Sequence, residues 1–158
     1  MKSEEFKAAV GKFPTGVTVI STSYKDKLYA FTANSFTSVS LKPSLISFCL
    51  DKNANSFDIF YQCSYFAVSI LSSDQAYLAG HFASHSLKNR NKFCFVKYTL
   101  GKYSKAPLIN GAISIIECKK YNQFECGDHF IFIGQVKKID IDKTKSPLLY
   151  FCKTYLEL

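Results

Sequence analysis

The apolar positions of this chain gather into short β-branched and aromatic runs parted by polar turns, with helical spacing in only three places. Phe6, Ala9, Val10 and Phe13 fall on one face of a helix over 4–13, which Pro14 stops. Two β-branched runs, 16–22 and 28–32, flank a polar turn at 24–27 and predict a hairpin. Pro43 leads into a strand over 45–50, and the polar run 53–56 offers helix caps ahead of Phe57, Phe60 and Tyr61. A strand over 65–71 and a helix over 74–82, capped near Ser72 or Ser73, follow. Further strands are predicted over 93–98, 112–121 and 130–141, with loops at 101–107 and 125–128 and an apolar tail at 147–151. No repeat, low-complexity tract or linker interrupts the pattern, so 1–158 is expected to be one domain. Six or seven strands with about three helices predict a mainly β fold, a closed antiparallel barrel with helices packed outside it.

Composition sharpens this picture. Of 158 residues, 47% are hydrophobic and 20% charged, enough apolar surface for a real core and against disorder. No apolar run reaches the ~18–20 residues that span a bilayer, and the acidic start lacks a secretory signal's apolar stretch. A cytoplasmic globular protein is the expectation. The net charge of +8 attracts phosphates, in nucleic acid or in a nucleotide cofactor. Arg90 is the only arginine and the lysines are scattered, which argues against base-specific readout of nucleic acid. Six cysteines without a CxxC read as small buried apolar residues rather than a disulfide framework. Cys118, Cys126 and His129 are spaced unlike a zinc site, and His81 and His85 lack an accompanying HExxH, so no metal is expected.

Nucleotide-loop fingerprints are absent: no GxGxxG, no P-loop and no GxSxG elbow. The run from Thr32 to Pro43 instead places hydroxyls, the Asn34 amide and Lys42 directly after an apolar strand. Such a run supplies donors for a phosphate-bearing ligand, although it also fits a Ser/Thr-rich surface loop. The caps at Asn53 to Ser56 favour the first reading, because helix N-termini attract anions. Gly127-Asp128 then hands His129 to the start of an apolar strand, where it is either structural or faces a cleft.

Taken in order, these segments resemble the short-chain flavin reductase family. The likeness begins at Phe13-Pro14-Thr15-Gly16-Val17 and runs through Thr32-Ala33-Asn34-Ser35-Phe36 and Ser38-Val39-Ser40-Leu41-Lys42-Pro43. It continues at Phe66-Ala67-Val68, His81-Phe82-Ala83, Lys92-Phe93, Glu117-Cys118, Gly127-Asp128-His129, Ile133-Gly134-Gln135-Val136 and Pro147-Leu148-Leu149-Tyr150. Two positions depart from the family pattern. The usual Pro-Pro is Pro43-Ser44, and the glycine usual after Tyr150 is missing from Phe151-Cys152-Lys153-Thr154-Tyr155.

The resemblance implies an antiparallel FMN-binding split β-barrel with a few peripheral helices, a homodimer with flavin near the subunit interface. It implies an NAD(P)H-dependent flavin reductase that takes FMN or FAD with NADH or NADPH and serves a partner monooxygenase. Carried over residue by residue, it places Thr32, Ala33, Asn34 and Ser35 along the isoalloxazine ring. Ser38, Val39 and Ser40 would sit by the ribityl chain and phosphate. Asp51, Lys52, Asn53 and Ser56 would complete the phosphate end, closed by Phe82 and Lys92. His129 would sit near the nicotinamide, and Tyr150 lies in the matching C-terminal segment. Hydride transfer between two cofactors needs stacking and orientation rather than a strong acid or base, in keeping with the lack of a paired-carboxylate motif. The rival expectations are a flavoredoxin-like electron carrier or ferric reductase of the same fold and, from another class, a basic nucleic-acid-binding barrel.

Overall fold

The computed structural model describes residues 3–84 and 92–158, so His85 and Arg90 lie outside the described residues. Seven strands form the main antiparallel sheet: β2 (Thr18–Tyr24), β3 (Lys27–Ala33), β4 (Thr37–Leu41), β5 (Ser44–Asp51), β6 (Tyr65–Ile70), β9 (Ser114–Cys126) and β10 (His129–Ile141). Their spatial order is β3-β2-β6-β9-β10-β5-β4. The two end strands, β3 and β4, are not hydrogen-bonded to each other. The closed barrel expected from the strand count is therefore an open one, split along a seam that residues 34–36 cross.

Period-two alternation explains how the sheet curls. On β5, Ile46, Phe48 and Leu50 point into one core, joined by Ile20, Phe66, Val68, Cys118 and Phe132 from four neighbouring strands. Phe48 stacks on Phe132 at 5.2 Å and meets Phe66 edge-on at 5.1 Å, while Phe31 meets Phe60 edge-on at 5.0 Å. Phe60 belongs to α2 (Phe57–Gln62), which plugs this core from outside the sheet. A second core gathers Val17, Val19, Leu71, Leu148 and Ile109 around α3 (Ala76–Ala83), which contributes Leu78, Ala79 and Phe82.

Several elements differ from the sequence expectation. α1 (Ser3–Val10) ends before Gly11, and none of its residues is buried: Phe6, Val10 and the following Phe13 are all exposed. The expected 16–22 strand is divided. β1 (Thr15–Gly16) pairs with β11 (Leu148–Phe151), whereas β2 joins the main sheet. β11 turns through Cys152 and Lys153 into β12 (Thr154–Glu157), a strand not anticipated. The predicted 93–98 strand is displaced: β7 (Tyr98–Leu100) pairs with β8 (Pro107–Ile109) across the predicted 101–107 loop. The 125–128 loop shrinks to two residues, with Cys126 opposite His129 and Gly127 at φ +65.

Candidate active site

The seam holds a cleft of about 420 Å³, built from six separate chain segments. β3 and the residues after it supply Thr32, Ala33, Asn34 and Ser35; the end of β5 supplies Cys49, Leu50 and Asp51. Ala54, Asn55 and Ser56 precede α2, Phe82 to Ser84 close α3, and Lys92 and His129 complete the wall. Such a cleft, part apolar and part polar, is the size of a small-molecule or cofactor site.

Hydrogen bonds between the segments hold its shape. Thr32 Oγ1 donates to the Ala79 carbonyl at 2.7 Å, docking α3 against β3. Ser35 Oγ accepts the Cys49 N–H at 2.9 Å and so ties the crossing segment to β5. Asp51 Oδ1 accepts the Asn53 N–H at 2.7 Å, an Asx turn that sets the direction of 52–56. Ser56 is the residue before α2 but makes no side-chain cap bond. With only six residues, α2 carries little macrodipole, so polar side chains and Lys92 must supply the electrostatics here.

Lys92 is the decisive charge. It is only 8% exposed, and its Nζ donates to the Phe82 carbonyl at 3.0 Å. Its own carbonyl lies 2.7 Å from His81 Nε2, so His81 is a structural partner of this segment. Burial pulls the Lys92 ammonium below the ordinary lysine range. A neighbouring anion would favour its charged form.

His129, also in the cleft wall, is half-exposed and its Nδ1 lies 2.7 Å from Asp128 Oδ1. The hydrogen bond and the charge of the imidazole together hold Asp128 below the usual carboxylate range. The ring is thus fixed through one nitrogen, with Nε2 left to meet a ligand. Lys52 pairs with Glu125 at 2.7 Å, and its N–H bonds the Asp128 carbonyl at 3.0 Å, bracing the β9–β10 turn that carries His129.

Nine sequence-derived candidates therefore line one cleft: Thr32, Ala33, Asn34, Ser35, Asp51, Ser56, Phe82, Lys92 and His129. Six others lie outside its lining. Ser38, Val39 and Ser40 form a bulged stretch of the edge strand β4, Lys52 and Asn53 shape the turn behind Asp51, and Tyr150 packs against Tyr155 in the second core. Sequence reasoning missed Cys49 as a lining residue. It alternates with the core residues Phe48 and Leu50, and that period of two was the available signal. Cys118, by contrast, is buried, and its thiol is pushed up to about 12 by desolvation and by Glu117 beside it. Cys126 sits exposed at the hairpin end opposite His129, while Cys118 pairs with Val136 farther along the ladder, so the three do not form one cluster.

Comparison with known proteins gives the family. The family model described as flavin reductase like domain matches residues 10–158. An NADH-dependent FAD reductase of Streptomyces globisporus is 42% identical over 133 residues, covering 84% of this chain and 72% of that protein. The S. globisporus C-1027 NADH:FAD oxidoreductase SgcE6, solved with NAD and FAD fragments, superposes with a TM-score of 0.93. It shares 37% identity over 98% of this chain and 92% of its own. BorF, the flavin reductase component of a bacterial two-component tryptophan halogenase, gives 0.93 at 32% identity, covering 99% and 98% of the two chains. With the match spanning nearly every residue, this chain belongs to the flavin reductase-like domain family.

Proposed function

We propose that this chain is an NAD(P)H:flavin oxidoreductase, one domain over 1–158, that reduces FMN or FAD in the seam cleft and releases it to a partner flavin-dependent oxygenase. The carrying observation is the convergence of six segments on a cleft whose wall holds both a buried ammonium and a half-exposed imidazole. These residues fit a phosphorylated planar ligand. When bound, the flavin supplies the redox chemistry, taking a hydride at N5 from the reduced nicotinamide.

The chain's own groups hold and orient. Thr32 to Ser35 and Phe82 wall the ring, Ser56 and Lys92 hold the phosphate end, and Asp51 stiffens the turn between them. His129, braced by Asp128, positions the nicotinamide rather than abstracting a proton, since the hydride step releases none at the ring. The apolar wall of Ala33, Leu50 and Phe82 would exclude water from the contact between a bound flavin and the nicotinamide.

A cytoplasmic homodimer completes the proposal. Phe6, Val10 and Phe13 expose an apolar stripe on and after α1 that a second copy would cover. BorF, itself the flavin reductase component of a two-component tryptophan halogenase, supports a partner enzyme that uses the reduced flavin. The decisive assay follows NADH and NADPH oxidation spectrophotometrically with FMN, FAD and riboflavin in turn. Turnover that requires added flavin is the expected result. Yellow protein that oxidises neither nicotinamide would overturn the reductase reading in favour of an electron carrier.

A further inference from the structure

Residue 92 is tied to the last turn of α3 in both directions. Lys92 Nζ donates to the Phe82 carbonyl at 3.0 Å, while the Lys92 carbonyl lies 2.7 Å from His81 Nε2. A carbonyl only accepts, so His81 carries its proton on Nε2 and donates it there. Phe82 and Lys92 line the seam cleft, whereas His81 stands outside its lining. The half-buried imidazole meets the Phe82 ring edge-on at 5.2 Å.

The two bonds fix different parts of the lysine. The His81 bond sets the plane of the peptide that follows Lys92, and with it the direction in which the side chain leaves the backbone. The Phe82 carbonyl belongs to the helix end, where carbonyls lack intrahelical partners, and it holds the tip of the stem. Both bonds use a fixed frame. Phe82 is buried in the second core with its ring 5.4 Å from that of Phe93, and Thr32 Oγ1 docks α3 on β3 through the Ala79 carbonyl.

A lysine's flexible four-carbon stem is costly to order. Clasped at both ends, Lys92 meets that cost on folding instead of on ligand binding. One ammonium can serve the Phe82 carbonyl and a phosphate together, because it carries three N–H groups.

We propose that His81 is a positioning residue for flavin phosphate recognition: from outside the cleft lining, its bond to the Lys92 carbonyl aims the Lys92 ammonium at the phosphate. The inference rests on the reading of Lys92 as the phosphate-binding cation of the seam cleft.

The test measures dissociation constants of the full chain for FMN and for riboflavin by quenching of flavin fluorescence, and reads their ratio. Riboflavin lacks the phosphate and reports the cleft alone, so a merely structural loss at position 81 would weaken both flavins alike. His81→Ala is expected to weaken FMN about three- to tenfold and to leave riboflavin unchanged. His81→Gln, whose side-chain amide can donate to the same carbonyl, should restore most of the FMN preference. Lys92→Met should abolish that preference, and adding His81→Ala to it should change FMN binding no further. The inference is overturned if His81→Ala weakens both flavins alike or neither, if His81→Gln is no better than His81→Ala, or if the His81→Ala effect persists undiminished beside Lys92→Met. A wild-type chain without FMN preference, or a Lys92→Met variant that keeps it, would instead remove Lys92 from the phosphate site, and His81 with it.

Discussion

A buried ammonium and an exposed imidazole divide the labour of the seam cleft. Lys92 has given up most of its hydration, and its depressed pKa records that loss. A bound phosphate favours the charged form, so flavin affinity should be level below the folded Lys92 pKa and fall as pH rises through it. That fall begins at lower pH than an ordinary lysine would give, and a fluorescence titration of FMN across alkaline pH will show it. Lys92→Met should abolish this pH dependence and weaken FMN roughly ten- to a hundredfold, the ~1.5–3 kcal/mol of a hydrogen bond to a charged group. Riboflavin, which has no phosphate, should be spared. His129→Ala should raise KM for the nicotinamide while flavin Kd stays constant; an unchanged KM would remove His129 from that role. The sequence made His129 and Asn34 visible through their neighbours. It did not reveal what Lys92 touches, because its partner Phe82 belongs to a helix that must first dock on β3.

Turn chemistry decides two of the elements. Cys152 and Lys153 both take positive φ, 47 and 65, in the tight turn between β11 and β12. Glycine would adopt that backbone without the ~1–2 kcal/mol that a Cβ costs there, and the family's usual glycine is missing from this stretch. Lys153→Gly should therefore stabilise the protein by about 1 kcal/mol, read as a higher urea midpoint with an unchanged slope. Gly134 presents the opposite case. A Cβ there would lie 2.3 Å from Phe66 Cζ, inside a packed aromatic core, beside a bulge in the β9–β10 ladder. Gly134→Ala should cost about 1–3 kcal/mol, measured by the same denaturation. A lysine also matters at the end of α2: Lys120 Nζ donates to the carbonyls of Phe60 at 3.2 Å and Tyr61 at 2.6 Å, closing a short helix whose other end borders the cleft.

For the molecule as a whole, the open seam and the bare apolar stripe make complementary demands. A sheet that does not close leaves β3 and β4 as edges, and α1 stands off the body with Phe6 at 53% and Val10 at 52% exposure. Exposed apolar surface of this kind is ordinarily covered by a partner. Light scattering after size exclusion should give a dimer, and Phe6→Ser with Val10→Ser should shift it toward monomer. A stable monomer at all concentrations would end the dimer proposal. The scattered lysines belong to this scale too. Their surplus draws anionic cofactors toward the protein, but among the described residues Lys92 is the one lysine in the wall of the seam cleft.

Alternation of apolar and polar residues is a local property, and it alone settled that strands over 16–22, 28–32, 45–50, 65–71, 112–121 and 130–141 would dominate this chain, each overlapping one that forms. The ordered motifs likewise carried the family and nine of the cleft residues. Tertiary structure decided what depends on distant pairing. It split the first strand between two sheets, turned the Ser/Thr-rich run at 37–41 into a bulged edge strand, and left the sheet open where the cleft now lies. It also set Cys49 in the cleft wall and buried Glu117 under a loop with one oxygen bare. Such outcomes follow from which surfaces meet after the chain has crossed itself, and one-dimensional spacing holds no record of that.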